Sequence, residues 1–315
     1  MGAALTLGER ARGRTAPNPN VGCVIVNNGR VVGRGWTQTG GRPHAEAVAL
    51  EQAGAAATGA VVYTTLEPCA HQSARGPACC DLLIAARVGR VVIALRDPDT
   101  RTDGNGIARL EAAGIAVSVG DRARDAARSM AGFLTRQRIG RPLVTLKLAV
   151  SLDGRIARAD GSSKWITGPQ ARAHAHLERS RNEAILVGRG TIAVDAPTLD
   201  VRLEGLEDRA PRRFALSRTA VEGWETIHEP ADIAGLTGVD HLMIEGGAGA
   251  ASAFLKADLV DRLLLYRAPI LIGEGMAALG DIGLGALADA HDRWALIDTR
   301  MLGSDRLDAY DRIRS

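Results

Sequence analysis

Residues Ala60-Val61-Val62-Tyr63-Thr64-Thr65-Leu66-Glu67-Pro68-Cys69 form a β-rich run that stops on Glu-Pro-Cys. β-Branched and aromatic side chains fit a pleated, half-buried surface and proline ends the pairing, so Cys69 is delivered at a strand tip. Working back from it, Pro43-His44-Ala45-Glu46 opens an apolar helical pattern continued by Ala47, Val48 and Leu50. Working forward, Cys79-Cys80 opens a second, continued by Asp81-Leu82-Leu83-Ile84-Ala85-Ala86. Two helix N-termini beside a strand tip can bring His44, Cys69 and Cys79 to one point, where the helix dipoles favour thiolates.

A neutral imidazole and two thiolates hold zinc with its fourth tetrahedral position open, and water there is acidified to a pKa of about 7. Glu46, two residues after His44, stands beside such a metal as a proton shuttle rather than a ligand. This is the H-x-E…P-C…C pattern of zinc-dependent nucleobase deamination. Singly, each residue has a plain explanation: cysteine is a common small core residue, and an acid suits the start of a helix. Together they argue for one zinc ion on His44, Cys69 and Cys79. The spacing departs from the commonest C-x-x-C form, because residues 70–78 intervene, and Cys80 competes for the third position. Cys79 is preferred because the pattern from Asp81 onward continues as a helix with Cys79 in its first turn.

A chain of 315 residues has room for two domains, each with its own core. The pattern predicts strands over 21–26, 31–36, 60–66, 91–94 and 116–119, and helices over 3–12, 45–52, 79–86, 106–113 and 122–136. The turn Asn27-Asn28-Gly29-Arg30 reads as a hairpin. A mixed sheet flanked by helices follows. Gly140-Arg141-Pro142 interrupts the pattern, which sets domains at 1–140 and 141–315. The second half carries strands over 143–150, 183–187, 213–216, 241–244, 262–266, 294–300 and 306–312, so the class is α/β throughout. Aromatic residues make up 3% of the chain, which suits close-packed α/β layers. A net charge of +3 with interspersed signs offers no tract for nucleic acid and favours a small anionic substrate. Three of the four cysteines cluster with a histidine, unlike a secreted disulfide framework. No apolar stretch approaches about 18 residues and no signal-peptide core opens the chain, so no membrane span and a cytoplasmic address are expected.

Four segments of the first half, Pro17-Asn18-Pro19-Asn20-Val21-Gly22, Pro43-His44-Ala45-Glu46, Glu67-Pro68-Cys69-Ala70-His71 and Arg96-Asp97-Pro98, resemble the deaminase domain of the bifunctional riboflavin-biosynthesis deaminase/reductase family. In the second half Lys147-Leu148-Ala149-Val150-Ser151-Leu152-Asp153-Gly154-Arg155, Trp165-Ile166-Thr167, Asp195-Ala196-Pro197-Thr198-Leu199 and Ile244-Glu245-Gly246-Gly247 resemble its reductase domain. The resemblance implies a cytidine-deaminase-like α/β/α domain followed by a dihydrofolate-reductase-like α/β domain. It implies zinc-dependent removal of the 2-amino group from a phosphorylated diaminopyrimidinone, then NADPH-dependent reduction of the ribosyl group to ribityl. A homodimer or higher homo-oligomer through the reductase domain is implied as well.

Residue by residue, the resemblance makes Glu46 catalytic and places Asn18, His71, Arg75 and Asp97 on the deaminase substrate. Arg75 is reached by counting back from Cys79 past an insertion at Ser73-Ala74. Thr37 stands where many relatives have a phosphate-holding histidine, which either weakens phosphate binding or shifts it to Arg42. For the cofactor the resemblance implies Ala149, Trp165, Thr191, Asp195, Ser217 and the segment Gly247-Ala248-Gly249-Ala250-Ala251-Ser252-Ala253. For the reductase substrate it implies Lys147, Ser163, Leu199 and Glu245, with Arg179 and Arg202 as a phosphate clamp. Asp195 and Lys147 are alternatives for supporting the imine or its ring opening. Two rival readings are a deaminase of free bases or tRNA with the second half as a binding module, and a non-enzyme with structural zinc. The first lacks basic tracts; the second needs Cys80 or His71 as a fourth ligand and leaves Glu46 idle.

Overall fold

The structure, a computed structural model, describes residues 1–71 and 75–314, so the insertion read at Ser73-Ala74 lies outside the described residues. The chain divides into two compact units, Met1–Gly140 and Arg141–Ser315.

The first unit runs α1 (Gly2–Glu9), β1 (Gly22–Asn27), β2 (Arg30–Trp36), α2 (Ala45–Ala53), β3 (Val61–Thr64), α3 (Cys79–Ala85), β4 (Arg90–Ile93), α4 (Asn105–Ala112), β5 (Ala116–Val119), α5 (Ala123–Ser129) and α6 (Ala131–Ile139). Its sheet has the order β2-β1-β3-β4-β5; β1 pairs antiparallel with β2 and β3, and β3, β4 and β5 are parallel. The β1–β2 turn has positive φ at both Asn28 (49°) and Gly29 (74°), the backbone a two-residue hairpin requires. Cys23, Ile25, Val62, Val91 and Ile93 from the strands pack with Ala45, Ala49, Leu83 and Leu110 from the helices into one buried cluster.

Two glycines of β2 set how closely α2 lies on the sheet. A Cβ on Gly33 would stand 2.1 Å from the Ala49 carbonyl, and one on Gly35 2.1 Å from the Ala45 carbonyl. The N-terminus of α2 carries His44 and Glu46, so this contact also positions the chemistry. Gly35→Ala should destabilise the unit by about 1–3 kcal/mol through overpacking and lower its zinc content; denaturant titration and metal analysis check both.

The helix expected over 122–136 is instead two helices, α5 and α6, broken at Met130 (φ −99°, ψ 20°). The break follows Ser129, whose carbonyl and hydroxyl accept hydrogen bonds from Asn20 Nδ2 at 3.3 Å. A side chain from a distant loop thus competes for the helical acceptor.

The second unit runs β6 (Leu143–Val150), β7 (Arg155–Arg158), α7 (Pro169–Arg179), β8 (Ala184–Gly188), α8 (Arg189–Asp195), β9 (Arg212–Leu216), β10 (Glu225–Ile227), β11 (His241–Glu245), α9 (Ala248–Lys256), β12 (Arg262–Arg267), β13 (Gly275–Ala277), β14 (Trp294–Leu302) and β15 (Asp305–Arg312). Its main sheet has the order β10-β9-β8-β11-β6-β12-β15-β14, parallel from β10 to β12 and antiparallel thereafter. The sequence reading assigns no strand at β7, β10 or β13, each too short for a period to register. It assigns no helix over 169–179 either, because the buried stripe of α7, Ala171, Ala175 and Glu178, consists of small and charged residues rather than large apolar ones. Among the described residues no helix is long and apolar enough to cross a membrane.

Candidate active sites

His44 is the N-cap of α2 (φ −74°, ψ 162°), and Cys79 is the first residue of α3. Cys69 follows the end of β3. Their ligand atoms lie within 4.8 Å of one another, with His44 Nδ1 3.2 Å from Cys79 Sγ and 3.6 Å from Cys69 Sγ. The Cys79 N–H donates to Cys69 Sγ at 3.3 Å. Hydrogen bonding from the Cys79 thiol, with His44 adding to it, brings Cys69 down to about 4, while sharing that proton and burial push Cys79 up. One imidazole and two sulfurs fit a tetrahedral zinc ion and leave a fourth position. Cys80 stands outside the cluster. Its sulfur approaches Asp81 Oδ1 at 3.8 Å, and burial pushes its thiol up to about 11.

Glu46 is 3% exposed, and its Oε1 accepts a hydrogen bond from Thr64 Oγ1 at 3.0 Å. Burial raises its carboxyl despite the neighbouring His44. Asn18 Nδ2 donates to the Gly41 carbonyl at 2.7 Å and lies 3.1 Å from His44 Nε2, so its amide borders the cluster. His71 Nδ1 is 3.5 Å from Thr102 Oγ1. Arg75 is exposed and donates to the Gly40 carbonyl at 2.8 Å. Arg42 lies against Gly76, whose Cβ would stand 3.2 Å from its Nη1, so the two arginines face each other's loops. Thr37 is buried, and its Oγ1 accepts the Val21 N–H at 3.0 Å; it closes the end of β2 and does not reach outward.

Asp97 is 7% exposed, and burial raises its carboxyl to about 6. The folded chain therefore holds that proton more tightly than the unfolded chain, whose aspartate titrates near about 3.9. Stability from this site falls as pH rises from about 4 to about 6, and the loss is complete above that window. Asp97→Asn should raise the denaturation midpoint at pH 7 and leave it at the wild-type value at pH 4. An equal shift at both pH values would contradict this.

The second unit holds a cleft of about 920 Å³ at the carboxyl ends of β6, β8 and β11. Ligands in open α/β sheets bind at that edge. At its floor Glu245 accepts from Arg179 Nε at 2.6 Å, from Arg179 Nη2 at 2.9 Å and from Lys147 Nζ at 3.3 Å. Burial pushes Glu245 up, but Lys147 and the bidentate Arg179 outweigh it and hold the carboxyl at about 2. Lys147 Nζ also sits 5.8 Å from the centre of the Tyr266 ring, whose hydroxyl bonds His174 Nδ1 at 2.7 Å.

The wall of the cleft is the start of α9. A Cβ on Gly246 would stand 3.3 Å from the Gly188 N, and the Gly247 N–H donates to Thr191 Oγ1 at 3.0 Å. The first N–H groups of a helix have no intrahelical partner, so Ala248, Gly249 and Ala250 offer an anion cradle of the kind a dinucleotide phosphate needs. Trp165 is 67% exposed at the rim, with the Arg172 guanidinium 4.7 Å from its ring centre.

Residues 1–95 match the family model described as the cytidine and deoxycytidylate deaminase zinc-binding region, and residues 142–223 and 231–306 match the RibD C-terminal domain. The chain is 39% identical to the riboflavin biosynthesis protein RibD of Escherichia coli K12, over 97% of this chain and 96% of that one. It is 41% identical to RibD of Mycobacterium tuberculosis H37Rv, over 98% and 95%. The chain belongs to the RibD family. Solved RibD structures superpose along its length: one from Acinetobacter baumannii has a TM-score of 0.89 at 34% identity, covering 99% of this chain and 98% of that one. A deaminase/reductase from Thermotoga maritima has a TM-score of 0.89 at 29% identity, covering 99% and 97%. As in the family, the zinc-binding deaminase region comes first and the RibD C-terminal domain second, on cytidine-deaminase-like and dihydrofolate-reductase-like folds.

In this RibD-family chain the cleft is lined by Lys147, Ala149, Ser163, Trp165, Arg179, Thr191, Asp195, Leu199, Arg202, Glu245 and Gly247 to Ala250. Ser217, Ala251, Ser252 and Ala253, expected at the cofactor, are not part of that lining. The rotation of α9 explains two of them: Ala251 is fully buried in the sheet core, and Ser252 Oγ turns to the Gly280 N–H at 2.8 Å; Ala253 lies a turn further along the helix than Gly249 and Ala250. Ser217 Oγ accepts the Thr219 N–H at 3.3 Å within its own turn. Sequence reasoning missed Thr64, Tyr266 and Glu67. Thr64 and Tyr266 sit in apolar strand runs that read as core, and Glu67 reads as part of a motif without a task.

Proposed function

We propose that the first unit hydrolyses the 2-amino group of 2,5-diamino-6-(5-phosphoribosylamino)pyrimidin-4-one and that the second reduces the resulting aminouracil's ribosyl group to ribityl with NADPH. The Thermotoga maritima relative is described as a diaminohydroxyphosphoribosylaminopyrimidine deaminase and 5-amino-6-(5-phosphoribosylamino)uracil reductase. The observation that carries the reading is the His44, Cys69 and Cys79 cluster with the buried Glu46 on the same helix start.

Zinc on those three ligands supplies Lewis-acid activation of water. Glu46 would take one proton from the attacking water and give it to the ring nitrogen, then take that oxygen's second proton and give it to the amine, which leaves as ammonia when the C–N bond breaks. Asn18 presents its amide to the pyrimidine edge, and Asp97 meets the polar side of the ring. His71 and Arg75, with Arg42 opposite, receive the phosphate at the mouth of the site.

In the second unit, the main-chain N–H groups at the start of α9 would hold the phosphates of NADPH and Ala149, Trp165, Thr191 and Asp195 would line the rest of it, and the cofactor would supply the hydride when bound. Lys147, fixed between Glu245 and the Tyr266 ring, holds a positive charge at the reducing end of the substrate. Arg179 is committed to Glu245 and to the Asp200 carbonyl, so it stiffens this floor while the exposed Arg202 meets the phosphate. Ser163 and Leu199 complete the substrate wall. The family resemblance supports a homodimer or higher homo-oligomer through the second unit. Four free cysteines suit the cytoplasm.

Metal removal tests the assignment. Chelation should abolish ammonia release from the diaminopyrimidinone and leave NADPH oxidation on the already deaminated substrate intact, with zinc restoring the first activity. Loss of both activities together, or of neither, would overturn it.

A further inference from the structure

We propose that Glu67 is a positioning residue of the deaminase site, holding the segment that carries Asp97 against the loop that carries Cys69. Its carboxylate is 3% exposed. Oε1 accepts the N–H groups of Gly104 and Gly106 at 3.0 Å and of Ile107 at 3.2 Å; Oε2 accepts Gly104 at 3.0 Å and Asp97 at 3.2 Å. Every one of these donors is main chain.

The arrangement solves a local problem of α4. Its N-cap, Gly104 (φ 90°), has no side chain to satisfy the helix's first N–H groups. Glu67 supplies the acceptors from another part of the chain, where the helix dipole favours a negative charge. Close approach is part of the design: a Cβ on Gly106 would stand 2.1 Å from the Pro68 carbonyl. The residues either side of the zinc-ligand turn are thereby locked to residues 97–107. Asp97 is fixed through its own N–H, and Thr102, fully buried in the same segment, is the neighbour of His71. A carboxylate two residues from a metal ligand thus sets where the substrate-facing groups stand, without touching metal or substrate.

This inference rests on Asp97 as a substrate contact. Its test is Glu67→Gln, which puts an NH2 group where a main-chain N–H now donates. With wild type in the same assay, KM for the diaminopyrimidinone should rise about 10-fold or more, with zinc content unchanged. NADPH oxidation by the second unit on the deaminated substrate should stay at the wild-type rate, reporting that the chain is intact. Glu67→Gln added to Asp97→Ala should raise KM no further than Asp97→Ala alone, because the one acts through the other. Gly106→Ala, whose Cβ would press on the Pro68 carbonyl at 2.1 Å and on Glu67 Oε1 at 3.1 Å, should reproduce the rise and serves if Glu67→Gln does not fold. A wild-type KM in Glu67→Gln, loss of zinc, or additive effects in the double variant would each overturn the proposal. Absence of ammonia release from the wild type would instead remove the substrate assignment.

Discussion

Glu46→Gln should lower ammonia release by about 10²–10⁴-fold, the range for losing a positioned acid–base group, while zinc stays bound. Glu46 is not among the ligand atoms that converge on the metal position, so the substitution leaves His44, Cys69 and Cys79 unchanged. An amide of the same shape still fits beside Thr64, but it cannot take a proton from water and give it to the amine. The variant should remain fully competent to oxidise NADPH on the deaminated substrate, because the cleft floor built from Lys147 and Glu245 belongs to the second unit. Ammonia assay, metal analysis and NADPH absorbance separate these outcomes. Zinc loss in Glu46→Gln, or wild-type ammonia release, would contradict the role.

Glu245→Ala should be the most damaging single change in the second unit. The carboxylate is 7% exposed and neutralises two cations that are themselves largely buried, Arg179 and Lys147. Removing it leaves both charges without their partner, which costs about 3–5 kcal/mol, and frees Lys147 from its place against the Tyr266 ring. Reduction should fall with stability, whereas Glu245→Gln, which keeps one acceptor, should lose less of both. The pH dependence follows from the depressed carboxyl. Stability from Glu245 is fully present above the unfolded value of about 4.3 and is lost as pH falls through about 2. Wild type should therefore weaken across that acid window, and Glu245→Ala should lack this component. Denaturant midpoints at pH 7 and across the acid range, with NADPH oxidation at pH 7, check the pair of claims.

The convergence of His44, Cys69 and Cys79 was legible because they sit where local signals are strongest: His44 before a helical pattern, Cys69 after a strand and a proline, Cys79 at a helix start. The hairpin at Asn28-Gly29 was legible for the same reason, since its backbone demands those residues. Glu67 was not, because its partners are main-chain N–H groups some distance along the chain and main chain leaves no residue signature. Tyr266 lies hidden in an apolar strand, where only the neighbouring strand's Lys147 reveals that its face is the floor of a cleft. The family resemblance puts Ala251 and Ser252 at the cofactor, but which face of α9 meets the cleft depends on how the helix is rotated against the sheet.

The most direct test of the two-step account follows ammonia and NADPH together in one reaction of the zinc-loaded chain with the diaminopyrimidinone ribosyl phosphate. The account predicts that NADPH oxidation lags ammonia release, reaches the same molar amount, and yields the ribityl product. NADPH oxidation without ammonia, or no ammonia from a protein that holds its zinc, would contradict it.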